Sequence, residues 1–197
     1  MSTGRKQPVT GFTLIEVLVT ILVLLIGLIG MMGLQGRATA TEMEAYQRGQ
    51  AMALLRDMES RIRTNRAQFD DAFRASHADP ADPSVFGTDS EVACGGATGA
   101  LREVCQWSEA LLGASEQLSD GRSAGAMTGG RGCILAQPVP ADGAVGEFFV
   151  VVVWQGYTAT RDPAADTPAA ACAADVNFGN GLRRAVTLRV LVPKLEG

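Results

Sequence analysis

Few residues in this sequence have types and spacings that could do chemistry, and the first is a carboxylate in an apolar run. From Phe12 to Leu34 the chain holds 23 residues whose only ionisable group is Glu16. A lone carboxylate in such a run costs about 2–3 kcal/mol even on the lenient scales of membrane insertion, so its retention calls for a partner. Nothing from Val17 to Leu34 offers one. Without one, Glu16 would snorkel to the headgroups. The second set is Cys94, Cys105, Cys133 and Cys172, which show no C-x-x-C spacing, so zinc binding and thioredoxin-like redox chemistry are not expected. Two disulfides are, with three possible connectivities. The preferred pairs are Cys94 with Cys105, closing a short loop, and Cys133 with Cys172, tying a strand region to a later long loop.

Catalytic constellations are not expected either. His77, the single histidine, follows Ser76 in a polar stretch with no nucleophile pattern and reads as solvated. Gly129-Gly130-Arg131-Gly132 lacks the Lys-Ser/Thr of a phosphate loop, and Asp162, Asp166 and Asp175 lack the alternate spacing of a calcium loop. The chain therefore reads as a non-enzyme without cofactor or metal. Its net charge of -4 offers no bulk field for nucleic acid. DNA binding would require Arg122, Arg131, Arg183 and Arg184 to form one basic surface, with retention falling steeply in salt.

The elements that carry these residues follow from periodicity. The Phe12–Leu34 run exceeds the roughly 20 residues that cross a bilayer core as a helix, and it is too long for a secretory signal core of about 7–15 residues. Arg5 and Lys6 before it, against Arg37 after it, predict a cytoplasmic N-terminus and an exported body, where disulfides form. Between Gln35 and Arg66 there is no Pro, and Met43, Tyr46, Ala51, Leu54, Leu55, Met58 and Ile62 recur at helical spacings. One helix is thus predicted from Phe12 to about Arg66, roughly 80 Å long, apolar all round in its first half and amphipathic in its second. Gly27, Gly30 and Gly33 should make part of the apolar half the easiest to loosen, or else allow close packing of helices.

A short helix is expected within Leu101–Leu118, placing Trp107 in the core, and a loop over Ser119–Gly132. Strands are predicted at 132–137, at Phe148–Trp154, and at Ala185–Val192, where Val186, Leu188, Val190 and Val192 share one face. The connection Thr158–Ala174 is too long for a tight hairpin. The fold class expected is α+β, a long N-terminal helix laid on a small antiparallel sheet with disulfides.

Lys6, Gly11, Phe12, Thr13, Leu14, Ile15 and Glu16, followed by the apolar helix, resemble the type IV pilin-like N-terminus shared by pilins, minor pilins and type II secretion pseudopilins. The stretch Val17–Gln35 and the ending Arg183–Leu188 are most similar to the minor pilin family PilV. The resemblance implies a leader over 1–11 removed after Gly11 by a prepilin peptidase, with N-methylation of Phe12. It also implies a transmembrane and polymerisation helix over 12–34, an amphipathic continuation over 35–66, and a periplasmic domain over 67–197. Glu16 would set subunit register against a neighbour's new amine. The partners implied are the peptidase, the major pilin, other minor pilins, a PilY-type tip adhesin, and the inner membrane before export into a pilus. A type II secretion pseudopilin and a DNA-uptake minor pilin are the alternatives.

Overall fold

The computed structural model describes residues 11–69, 71–79, 83–88, 94–113, 119, 127–137 and 145–193. The expected leader, apart from Gly11, lies outside them, as does most of the expected 119–132 loop. The chain divides into two units, 1–42 and 43–197. Helix α1, Leu14–Thr64, contributes to both. Its start is set where the Thr13 carbonyl accepts from the amides of Glu16 and Val17. Glu16 in the first turn and Arg61 and Arg63 in the last complement the helix dipole. The first unit is this helix's apolar half, and its large side chains from Leu14 to Leu34 are all exposed.

In the second unit, α1 buries Gln47, Ala51, Leu55, Met58 and Ile62, a spacing of three and four that keeps one stripe inward. Against this stripe stand α2, Asp71–Ser76, and α3, Ala100–Leu111. The sheet is a four-stranded antiparallel meander in the order β1-β2-β3-β4, with β1 Val85–Phe86, β2 Arg131–Ala136, β3 Val145–Gln155 and β4 Arg183–Pro193. The α+β class holds. α3 begins one residue before the expected helix and ends at Leu111. The three predicted strands are present, lengthened by one to three residues at most ends. Strand β1 and helix α2 are additions that periodicity could not show, being two and six residues long.

The sheet is buried on both faces, so the domain has three layers. Toward the helices, Phe148, Val150, Val152, Trp154 and Val190 join Trp107, Leu111 and the α1 stripe. Behind the sheet, Cys133, Leu135, Val151 and Val153 pack against Cys172, Ala173 and Phe178 of the long β3–β4 connection, which includes the short helix α4, Pro168–Ala171. A strand apolar at every position from Phe148 to Trp154 needs cover on both sides. The connection supplies the second cover, which is why it is long.

Two glycines make close packing possible. A Cβ on Gly132 would stand 2.6 Å from Leu111 Cδ1 and nearer still to the Trp107 ring, so the indole rests directly on the β2 backbone. Trp107 Nε1 donates to the Leu54 carbonyl at 2.9 Å. At Gly181, φ of +66° turns the chain into β4. The disulfides join Cys94 to Cys105 and Cys133 to Cys172, with Cα separations of 5.6 and 5.7 Å.

Candidate functional site

Gly11 and Phe12 precede the first helical turn, and Phe12 is 85% exposed. Glu16 lies one turn further on, in the first turn of α1. Among the described residues it has no ion-pair partner. Around it, Leu14, Ile15, Val17 and Leu18 project from all sides of the helix and remain exposed. A Cβ on Gly27, Gly30 or Gly33 would meet nothing within 4 Å among the described residues, so none of these glycines serves packing against them. α1 is long and apolar enough to span a bilayer, and none of its apolar window is buried against the protein. About 25 cal/mol per Å² of apolar surface favours removing such a helix from water. The unit is thus built to be covered by lipid or by other helices.

In the second unit, the polar groups are mostly spent on holding the fold. Arg183 donates to the carbonyls of Ala169 (3.0 Å), Ala170 (3.2 Å), Cys172 and Ala173 (3.3 Å), and its guanidinium lies over the Phe178 ring. Burial lowers its pKa. Arg184 is paired with Glu44 at 3.0 Å, and Arg131 donates to the Gly130 carbonyl at 2.8 Å. Arg122 lies outside the described residues. The described arginines of the suggested cluster therefore point into the fold's own acceptors and do not combine into one free basic surface.

His77 departs from the solvated loop residue expected. It is half-buried and stacked on Phe73, ring centroids 3.9 Å apart, with Phe86 at 6.3 Å on a nearly parallel plane. The short helix α2, unseen in the sequence, turns it inward. Burial lowers its pKa, partly offset by the Phe73 carbonyl 2.9 Å from Nδ1. Nearby Arg74 is buried, donates to the Gln137 carbonyl at 2.6 Å and sits over Phe148. These contacts are structural. Among the described residues, no three metal-ligating side chains converge.

Glu44 lies off the buried stripe of α1, and its partners come from far along the chain. One of its carboxylate oxygens accepts from Tyr157 N (3.1 Å), Thr158 N (2.9 Å), Thr158 Oγ1 (2.7 Å) and Arg184 Nη2 (3.0 Å). The Thr158 bonds, chiefly, hold its pKa below the usual carboxylate value. No local signal could have found partners more than 110 positions away.

Two comparisons bear on the site. A model of the prokaryotic N-terminal methylation motif matches residues 8–32, and a model described as Tt1218-like, type IV pilin Tt1218, matches residues 33–99. Over these two stretches the chain is similar to type IV pilins and to their N-terminal methylation motif. The first match covers Gly11, Phe12 and Glu16 together, and the second begins where the apolar run ends. No curated protein and no solved structure matches the chain. The pilin-like helix, the four-stranded antiparallel sheet and the disulfides agree with the fold class of the matched family, which is structural and not enzymatic. Together the apolar helix and the methylation motif point to membrane anchoring of a pilin-like subunit.

Proposed function

We propose that this chain is a minor pilin. The observation that carries the reading is Glu16: a single carboxylate in an exposed apolar helix, inside a matched methylation motif and without an ion-pair partner among the described residues. The motif implies processing by a prepilin peptidase and assembly with other pilins. On this reading the leader over 1–11 is removed after Gly11, Phe12 is N-methylated, and its amine meets Glu16 of a neighbouring subunit. A desolvated pair of this kind contributes little net stability but opposes misplaced subunits, which would bury an unpaired charge.

Residues 12–34 then anchor the subunit in the inner membrane and later polymerise, residues 35–66 continue as the amphipathic helix, and residues 67–197 form the exported domain. Arg5 and Lys6 support a cytoplasmic N-terminus. The similarity of Val17–Gln35 to PilV supports membership of a priming complex of minor pilins, at or near a tip that carries a PilY-type adhesin.

Processing is tested by replacing Gly11 with Val in the full chain expressed with a prepilin peptidase. Uncut precursor should accumulate in the membrane fraction, and mobility identical to the processed wild type would overturn the assignment. The minor role is tested by deletion, which should lower pilus number while leaving major pilin levels intact. Normal piliation would refute it.

A further inference from the structure

The last strand leaves one side open. The Gly156 amide donates to the Leu182 carbonyl at 2.7 Å, and the β3–β4 register pairs Trp154 with Arg184 and Val152 with Val186. Ladder bonds in an antiparallel pair recur at every second residue. The even-numbered residues of β4 therefore bond to β3, and the backbone groups of Ala185, Thr187, Arg189 and Leu191 face the open edge. Among the described residues nothing pairs with them, and β4 ends the sheet. Pro193 closes the edge because it has no amide hydrogen.

A cavity of about 490 Å³ lies at the start of this edge, lined by Arg161, Thr167, Arg183, Ala185 and Thr187 among others. Ala185 and Thr187 thus present open backbone groups at the edge and line the cavity. Among the described residues, neither Arg161 nor Arg183 makes an ion pair with a carboxylate. Asp162 acts on Arg183 without forming one. Arg184, by contrast, is neutralised by Glu44, and Arg189 further along by Glu147 at 2.5 Å. Arg183 is held by backbone carbonyls beside Asp162, so Arg161 is left as the cation at the cavity end of the edge without an ion pair among the described residues.

We infer that the β4 edge binds an extended segment of another protein, which adds as a fifth strand and places an Asp or Glu side chain in the cavity beside Arg161. In an added strand, alternate side chains fall on one face. Those on the outer face would lie beside Ala185 and Thr187, within the reach of Arg161. Backbone pairing supplies affinity and the cavity supplies the preference for acid, the division of labour seen in strand addition generally. This inference rests on the sheet alone, so failure of the Gly11 test would leave it intact.

The experiment uses the full chain in detergent micelles and two labelled nine-residue peptides of alternating Thr and Val, one with a central Glu and one with a central Lys. Fluorescence anisotropy should show the Glu peptide binding at least tenfold more tightly than its Lys twin. Arg161→Glu should abolish that preference. Thr187→Pro removes an outward amide without touching the β3 ladder and should weaken binding at least tenfold, whereas Thr187→Ala should bind as wild type. Leu191→Pro, with the same outward geometry, is the second variant should Thr187→Pro fail a urea unfolding check. Equal binding of the two peptides, no binding of either, or undiminished binding by a folded proline variant would overturn the inference. So would a homodimer, seen by sedimentation, that the proline variants dissolve and the Glu peptide does not.

Discussion

Glu44 and Arg184, 140 positions apart, form an ion pair at 3.0 Å that joins α1 to the start of β4. The same carboxylate oxygen takes both amides of Tyr157 and Thr158, so one side chain ties together the helix, the start of the β3–β4 connection and its end. Arg184 completes the knot by donating to the Gly181 carbonyl at 3.1 Å and to the Thr158 carbonyl. Hydrogen bonds to a charged group contribute about 1.5–3 kcal/mol each at most, and these share one acceptor. Glu44→Gln should therefore destabilise the domain by about 1–3 kcal/mol. Because the folded pKa is depressed, the wild-type advantage is complete above the usual carboxylate value of 4.5 and is lost as pH falls through the folded value. Urea midpoints at about pH 7 and about pH 3 should show the gap between wild type and variant closing in acid. An equal gap at both would exclude the charge as its source.

His77 has the same sign for a different reason. Its folded pKa lies below 6.5 because burial between Phe73 and Phe86 disfavours the imidazolium. The contribution is present above 6.5 and lost as pH falls through the lowered value. His77→Phe should flatten the stability profile across that interval, and an unchanged profile would assign the slope to other groups.

Gly132 has no room for a methyl group beneath Trp107 and Leu111. Gly132→Ala should lower stability by about 1–3 kcal/mol through overpacking. Near-ultraviolet circular dichroism should report the displaced indole, and a spectrum and urea midpoint matching wild type would refute the fit.

The Cys133–Cys172 bridge spans 39 positions and pins the connection to the back of β2. Replacing both cysteines with Ala should destabilise by about 2–4 kcal/mol. Limited proteolysis should then cut first between residues 156 and 182, since Phe178, Ala173 and the α4 region are held mainly by that face. First cleavage elsewhere would show that the apolar contacts suffice.

Glu16→Gln keeps the size of the side chain and removes its charge. Under the minor pilin reading, the variant should be processed normally at Gly11 yet remain in the membrane, with at least tenfold less in sheared filaments. Incorporation at the wild-type level would remove Glu16 from register setting.

Much of the fold was legible because it is local. The apolar run, the three-and-four spacing from Ala51 to Ile62, and the alternation of Val186, Leu188, Val190 and Val192 each arise within a few turns or residues of chain. They determined a long helix, two main strands and the α+β class, and the Gly11-Phe12-Glu16 pattern determined the likeness to pilins. What only the tertiary structure decided is which distant groups meet. Cysteine spacing left three pairings, and the β3–β4 connection folds Cys172 behind the sheet onto Cys133. Glu44, Thr158 and Arg184 are more than 20 positions apart from one another and meet only in the folded domain. His77 looked solvated until a six-residue helix, too short for periodicity to reveal, turned it between two aromatic rings. Local pattern records which face of an element is apolar. Contact between elements depends on chain reversals and on the room that a residue such as Gly132 leaves, and these are set by packing across the whole domain.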